Sequence, residues 1–238
     1  MIESMVSFNP RDFTAWDDGR CRELLLDHLS NVASCSEILA ECLGLNTTTA
    51  YLAGVLHDIG KAYCDYQDKR SFGGHEVLSA VVAEILLKEQ VSDEERFNIF
   101  YSILSHHQAH RSIFREMNLD HRGLQCILEF HRRSHLDLLG RHNIVIPDDL
   151  EGRLKSQVGG RGLVGIAMDW LRDYVNRMPE EDYRRRIVKA KVYAGILMIC
   201  DKVVAGNARC GVKKGVVDEY YESASRFYEF CCKRTKRC

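Results

Sequence analysis

The stretch YLAGVLHDIGKAYCDYQ, residues 51–67, joins an apolar run to two strong metal ligands. Its first half is typical of a buried helix, yet His57 and Asp58 follow that half directly. An ionised carboxylate away from water is costly unless it is paired or bound to a metal. Gly60 then releases the chain, and Lys61 places a cation one turn after His57. The stretch therefore indicates a core helix whose end presents ligands to a central cavity.

Other apolar helical segments of the chain also carry histidine or aspartate. His28 lies in LLLDHLSNVA, His75 opens GHEVLSAVVAEIL, and His106 and His107 close IFYSILSHH. Asp201 interrupts VYAGILMICDKVVAG, the most apolar helical stretch of the chain. A single histidine of this kind is more often a hydrogen-bonded core residue, so the inference depends on the set. Together with the opening stretch there are five imidazoles and two carboxylates, and bundle cores commonly hold metals in this way.

The types of ligand indicate the metal and the reaction. Nitrogen and oxygen ligands without thiolates suit manganese, iron, cobalt, nickel or zinc, and magnesium is less natural for so many imidazoles. Adjacent helical residues point about 100° apart, so the side chains of His57 and Asp58 cannot point the same way. This divergence fits a histidine that reaches one ion while the neighbouring carboxylate bridges to a second. Two ions about 3.5–4 Å apart are the standard device for phosphoester hydrolysis. Lys61 would supply a cation for the phosphate, with a solvated lysine after a helix end as the ordinary alternative.

The pattern predicts an all-α helical bundle around a central metal site. Helices are expected over 20–43, 48–59, 74–90, 93–108, 120–139, 161–177, 180–207 and 216–232. Gly44, the Ser92–Glu95 capping box and Pro179 mark helix ends. No useful strand alternation appears, although NIVIP at 143–147 suits a short extended piece. We expect one domain over 1–238, with 108–160 as an irregular insertion or lid and 216–238 as a C-terminal helix and basic tail.

Composition restricts the classes of function. The formal net charge is −1, and 28% of the residues are charged, so neither a global nucleic-acid signature nor a disordered composition is present. Any anionic polymer would have to use a local patch. The N-terminus has no basic start followed by an apolar core, and no apolar stretch approaches a bilayer span. We therefore expect a soluble cytoplasmic protein with no membrane partner.

Ten cysteines raise the question of zinc or crosslinks. No C-x-x-C occurs, which argues against a zinc ribbon. Several cysteines lie in apolar helical contexts, as Cys35, Cys42, Cys126 and Cys200 do. We expect thiols in a reducing compartment, with a disulfide in the C-terminal tail as the open alternative.

These residues resemble the HD superfamily of metal-dependent phosphohydrolases, because the pattern H…HD…D is carried by His28, His57–Asp58 and Asp201. More narrowly, the chain resembles the HD nuclease of type I CRISPR interference, the double-prime nuclease part of the helicase–nuclease. The matching stretches are HLSNVA, LAGVLHDIGKAYCDYQ, GHEVLSA and LSHHQAH. The resemblance covers residues 20–110, and after them only Asp201 in CDKVVAGNAR can be matched.

The resemblance implies two sets of metal ligands. The first ion would be held by His28, His57, Asp58 and Asp201. Asp58 would bridge to a second ion held by His75 and His106, with His107 as a further ligand or close neighbour. Lys61 matches the lysine of the HD-x-GK motif and would act with Asp58 in catalysis. Asp169 in IAMDW is the alternative to Asp201 as the last ligand.

The family's substrate is DNA, mainly single-stranded, cut within an R-loop after a guide-RNA surveillance complex has found its target. No G-x-x-x-x-G-K-[ST] occurs, so we expect a stand-alone nuclease that works with a separate helicase subunit. Arg111, Arg115 and Arg122 are the candidates for guiding the strand by phosphate contacts. The alternative is an HD-type nucleotidase or cyclic-nucleotide phosphodiesterase. A regulatory module with a degenerate site is a third class, and the full ligand set argues against it.

Overall fold

Helices make up most of the chain in the computed structural model, which describes residues 9, 12–69, 74–107, 121–158, 162–208 and 216–237. They are α1 (Leu25–Cys42), α2 (Thr47–Leu56), α3 (Cys64–Lys69), α4 (His75–Leu87), α5 (Asp93–Ser105), α6 (His121–Phe130), α7 (Leu136–Gly140), α8 (Leu150–Val158), α9 (Leu163–Arg177), α10 (Glu180–Ala208) and α11 (Val216–Thr235). A 3-10 turn (Ile59–Ala62) follows α2, and a π-helical turn (His131–His135) joins α6 to α7. The predicted all-α bundle is confirmed. None of the helices in these ranges is long and apolar enough to cross a membrane.

The ends of the core helices follow from local chemistry. Ser92 and Glu95 form the predicted reciprocal capping box at the start of α5. Gly44 ends α1 in the left-handed conformation, with φ of 68°. Leu45 N then donates to the carbonyl of Ala40 over 2.8 Å, as in a Schellman motif. Such stops are short-range, which is why the sequence reveals them.

A close approach of α1 and α2 forms the centre of the bundle. Gly54 lies against α1, where an added Cβ would come within 2.5 Å of the Cα of Ala33. Any larger residue at 54 would therefore separate the two helices. Helix α4 packs mainly on α5 and on the 3-10 turn that follows α2, with Leu78, Val81 and other fully buried side chains. The contact between α1 and α2 brings the histidines of the two helices to one place.

A short β-hairpin precedes α1, where the sequence predicted that a helix begins at residue 20. Strand β1 (Thr14–Asp17) pairs antiparallel with β2 (Arg22–Leu24), and α1 starts only at Leu25. Gly19 makes the turn with φ of 84°, and its N–H donates to the carboxylate of Asp17 over 2.8 Å. Strands of four and three residues are too short to show an alternating pattern.

The described part of the region 108–160 is largely helical rather than irregular. Residues 121–158 contain α6, the π-helical turn, α7 and α8. Ile127, Phe130 and Leu154 are fully buried in the core. Residues 144–147 carry no regular secondary structure, so the short extended piece suggested for NIVIP is not part of a β-strand. The buried residues of this region are few among many polar ones, so the apolar pattern is weak in the sequence.

The cysteines correct the expectation of free thiols. The pairs Cys35–Cys200, Cys42–Cys231 and Cys64–Cys126 have Cα separations of 5.6, 5.4 and 5.6 Å, which are typical of disulfides. Cys21 and Cys232 are also disulfide-bonded, and no cysteine is free among those in the described ranges. Cys210 and Cys238 lie outside those ranges. The three pairs with these separations join residues 62 to 189 apart, and sequence spacing does not reveal such neighbours.

Two fully buried histidines connect the π-helical turn to the end of α2. Nε2 of His135 lies 3.0 Å from the carbonyl of Val55, in the last turn of α2, where carbonyls lack helical partners. Since Nε2 of His135 donates there, its Nδ1 accepts from Nδ1 of His131 over 2.9 Å. Burial lowers the pKa of His135 to about 4. Both rings are therefore neutral in the folded protein.

Acidification is expected to destabilise the protein through these two histidines. In the unfolded chain a histidine has a pKa near 6.5, well above the pKa of His135 in the folded protein. The contribution of neutral His135 to the free energy of unfolding is therefore complete above pH 6.5 and is lost as the pH falls towards 4. At pH 5 this loss is about 1–2 kcal/mol. Thermal unfolding at pH 7 and pH 5 measures it. The variant His135→Gln keeps a donor for Val55 and does not titrate, so an equal loss in variant and wild type would contradict the assignment.

Candidate metal centre

Five helices deliver histidine and aspartate side chains to one point of the bundle. They are His28 from α1, His57 and Asp58 from the end of α2, His75 from the start of α4, His106 and His107 from the end of α5, and Asp201 from α10. All except His107 are buried, and His107 is partly exposed. The structure therefore brings together every metal-ligand candidate from the sequence except the alternative Asp169.

The first group of potential ligands consists of His28, His57, Asp58 and Asp201, whose ligand atoms lie within 4.8 Å of one another. Nε2 of His28 is 3.3 Å from Oδ1 of Asp201 and 3.4 Å from Oδ2 of Asp58. Nε2 of His57 is 3.3 Å from the same oxygen of Asp58. Two imidazole nitrogens and two carboxylates thus face one small volume.

The second group consists of Asp58, His75, His106 and His107. It uses the other oxygen of the shared carboxylate. Oδ1 of Asp58 lies 2.9 Å from Nε2 of His75 and 3.6 Å from Nε2 of His106. Nε2 of His107 is 3.1 Å from Nε2 of His75. Asp58 therefore belongs to both groups, with one oxygen directed to each.

The polar atoms at the middle of this cluster fit a bound cation. Both oxygens of Asp58 and Nε2 of His106 are buried without a hydrogen bond of acceptable geometry, although Lys61 and His75 lie within ion-pair distance of the Asp58 carboxylate. The 3.6 Å between His106 and Asp58 is too long for one. Buried polar and charged groups are rarely left in this state without a metal or a partner. A divalent ion in each group would satisfy these atoms, and the donors are all nitrogen and oxygen.

Electrostatic interactions keep the carboxylates ionised. Burial alone would raise the pKa of Asp58, but the neighbouring imidazoles and Lys61 hold that pKa well below its ordinary value. Burial would also raise the pKa of Asp201, but the hydrogen bond to His28 and the charges of His28 and His57 together hold that pKa well below its ordinary value. Burial lowers the pKa of His57, which favours its neutral form, whereas the neighbouring carboxylates outweigh burial and raise the pKa of His28 and of His106, so a metal would displace the proton of those two rings. Ionised carboxylates and neutral imidazoles are the forms that bind metals.

Backbone carbonyls orient two of the histidines. Nδ1 of His57 lies 2.8 Å from the carbonyl of Gly54, and Nδ1 of His106 lies 2.6 Å from that of Ile103. Each ring therefore donates its Nδ1 proton backwards to its own helix and turns Nε2 towards the centre. Such partners fix the tautomer of a metal-binding histidine.

Lys61 lies against the shared carboxylate. Its Nζ is 2.5 Å from Oδ2 of Asp58, and its side chain is only 12% exposed, so it is not a solvated lysine. The 3-10 turn that carries it packs closely on α4, where an added Cβ at Gly60 would lie 2.5 Å from the carbonyl of His75. The glycine after the HD pair thus permits the contact that places Lys61.

The remaining candidates lie elsewhere. The side chain of Asp169 is 44% exposed and pairs with Arg172 over 3.2 Å on the surface of α9, so it does not reach the cluster that contains Asp201. Arg111 and Arg115 lie outside the described residues, as does the side chain of Arg122.

Sequence reasoning did not find Glu23. This residue of β2 is 8% exposed, and its Oε1 lies 3.0 Å from Nδ1 of His28. The only sequence signal was a carboxylate five residues before a ligand histidine. Because the segment that contains Glu23 was predicted to be part of the helix of His28, that spacing did not indicate a contact.

Comparison with known proteins agrees with this geometry. The family model described as the HD domain matches residues 25–206, which include every member of both ligand groups. No curated protein and no solved structure matches the chain. HD domains bind divalent metals. With the matched residues covering most of its length, the chain belongs to the HD-domain family of metal-dependent hydrolases.

Proposed function

We propose that the chain is a metal-dependent nuclease that hydrolyses phosphodiester bonds, prefers single-stranded DNA and acts in type I CRISPR interference. The observation that carries the hydrolytic part is the shared carboxylate, since Asp58 directs one oxygen to each of two ligand groups. Such an arrangement suits two divalent ions in the pairing typical of phosphoester hydrolysis. Manganese, nickel, cobalt or iron fits the imidazole-rich donors better than magnesium.

The residues of the metal centre would have different roles in hydrolysis. Both ions, when bound, supply Lewis acidity to the hydrolytic water and to the phosphoryl oxygens. Asp58 holds the two ligand groups at a constant spacing. The ammonium of Lys61 is beside that carboxylate, where it would donate hydrogen bonds to a phosphoryl oxygen as negative charge develops. Lys61 and His107 are the partly exposed members of the cluster, so the substrate would approach from their side.

The CRISPR role is supported by the motifs of the sequence. HD-x-GK, the GHE histidine and the doubled histidine all contribute to one cluster, as in the nuclease that the sequence resembles. The partners would be R-loop DNA, a separate helicase subunit and a guide-RNA surveillance complex. This role is cytoplasmic. Disulfides are rare in most cytosols, whereas intracellular proteins of hyperthermophiles are rich in them, so a thermophilic cell is the setting that reconciles both.

The alternative is a nucleotidase or cyclic-nucleotide phosphodiesterase. It would use the same ligands, and the nearly complete burial of six of the seven ligand candidates also suits a small nucleotide. The two functions differ in the substrate that is cleaved and share the metal requirement.

The test uses metal-stripped protein reloaded with manganese, nickel, cobalt or magnesium. Labelled single-stranded DNA, duplex DNA and a panel of nucleotides are offered, with Asp58→Ala as the control. Cleavage of single-stranded DNA that disappears in the control is the expected result. Hydrolysis of nucleotides with DNA untouched would overturn the nuclease assignment and support the alternative. An R-loop bound by a surveillance complex, with and without a helicase, then tests the CRISPR role.

A further inference from the structure

The β-hairpin reaches the metal centre although it precedes the residues that match the HD domain. Glu23, on β2, has its carboxylate buried beside α1. Its Oε1 lies 3.0 Å from Nδ1 of His28, on the side of the ring that faces away from the ligand cluster. The opposite nitrogen, Nε2, lies 3.3 Å from Asp201 and 3.4 Å from Asp58. Glu23 and the cluster therefore contact the two ends of one imidazole.

This contact determines how His28 is presented. A carboxylate accepts the Nδ1 proton, so the lone pair that can bind a metal is left on Nε2. The backbone carbonyls behind His57 and His106 do the same for their rings. A carboxylate carries a full charge, and hydrogen bonds to a charged partner are stronger than those to a neutral one. The partner of His28 also comes from a different element of the fold.

The hairpin is attached firmly enough to hold Glu23 in place. Thr14 of β1 pairs with Leu24 of β2, and Thr14 N donates to the side-chain oxygen of Gln67 over 2.9 Å. Nε2 of Gln67 donates to the carbonyl of Lys61 over 2.6 Å. The strand beside Glu23 is thus tied, through Gln67, to the turn that carries Lys61.

We propose that Glu23 is a positioning residue of the metal centre, whose carboxylate keeps His28 in the orientation and tautomer that direct Nε2 to an ion in the first group. The inference rests on the metal-dependent function proposed above, and it adds the hairpin to the functional unit. Second partners of this kind commonly affect metal affinity by about 10–100-fold when removed.

The test compares cobalt binding by metal-free wild type, Glu23→Gln and Glu23→Ala, using calorimetry and the visible absorption of bound cobalt. Wild type is expected to bind two ions. Glu23→Ala is expected to weaken one of the two binding events about 10–100-fold and to change the absorption of that ion alone. Glu23→Gln preserves the size and an acceptor oxygen but removes the charge, so its loss should be smaller.

Glu37→Gln is the matched control. Glu37 is another buried carboxylate associated with α1, at 7% exposure, but it pairs with Arg141 and Arg237 over 3.0 and 2.8 Å. It should leave both cobalt affinities unchanged. Wild-type affinities in both Glu23 variants would overturn the proposal. Equal weakening of both ions in Glu23→Ala and Glu37→Gln would also overturn it, because it would reveal a general loss of structure.

The outcomes also separate this inference from the proposed function. If wild type binds cobalt without hydrolysing any phosphodiester, the proposed activity fails, and selective weakening in Glu23→Ala still supports the positioning role. If wild type binds no cobalt, manganese or nickel, the positioning role and the metal-dependent function are both overturned.

Discussion

Replacing Asp58 with alanine is expected to abolish hydrolysis and to empty both ligand groups. The substitution removes Oδ2, which faces His28 and His57, together with Oδ1, which faces His75. No other residue of the cluster contributes to both groups. The loss amounts to several kcal/mol of transition-state stabilisation, which corresponds to at least about 10³-fold in rate. Metal content of the purified protein and initial rates with each metal measure the two effects.

Two further variants serve as controls for Asp58→Ala. Asp201→Ala removes a ligand from the first group alone, so the protein should retain the second ion. Asp169→Ala removes an exposed carboxylate of α9 that pairs with Arg172 away from the ligand cluster, and it should behave as wild type. Retained hydrolysis in Asp58→Ala, with any metal, would rule out a dinuclear centre bridged by this residue.

Among the three crosslinks between described residues, removing Cys42–Cys231 is expected to cause the largest loss of stability. These residues are 189 apart in the sequence, and closing so long a loop restricts the unfolded chain by about 5 kcal/mol in the chain-entropy model. The variant Cys42→Ser/Cys231→Ser should therefore unfold about 10 °C or more below wild type. The Cys64–Cys126 pair, 62 residues apart, should contribute about 1 kcal/mol less.

Thiol titration checks the premise of that prediction directly. The chain has ten cysteines, and the eight in the described ranges are disulfide-bonded. Denatured, unreduced protein should therefore react at no more than two thiols, which is ten minus eight. Reduction should release the others and lower the melting temperature of wild type. A count of ten thiols before reduction would show that the crosslinks do not form.

The sequence was sufficient to predict the features that depend on neighbours in the chain. The capping box at Ser92 and the stop at Gly44 lie within a few residues of what they determine. The ligand residues could also be recognised, because a charged group such as Asp58 or Asp201 inside an apolar helix requires a special partner. Their grouping came from the resemblance, since spacing alone does not say which helices meet.

Contacts between distant segments were beyond the reach of sequence patterns. The short hairpin shows no periodicity, so Glu23 was assigned to a helix and its contact with His28 was not anticipated. The partner of Cys35 lies on α10, 165 residues away, and nothing in the local sequence indicates it. Such pairs are determined by the packing of the whole bundle.

The crosslinks Cys35–Cys200, Cys42–Cys231 and Cys64–Cys126 have a consequence for a chain that has been cut. Each joins a residue before position 107 to one after position 121. A protease that broke the backbone between those positions would leave two pieces connected by at least these three covalent bridges. Cys200 precedes Asp201 directly and is bonded to the helix of His28, so the ligands of both pieces would stay side by side. The nicked protein would run as a single species until a reductant separated it.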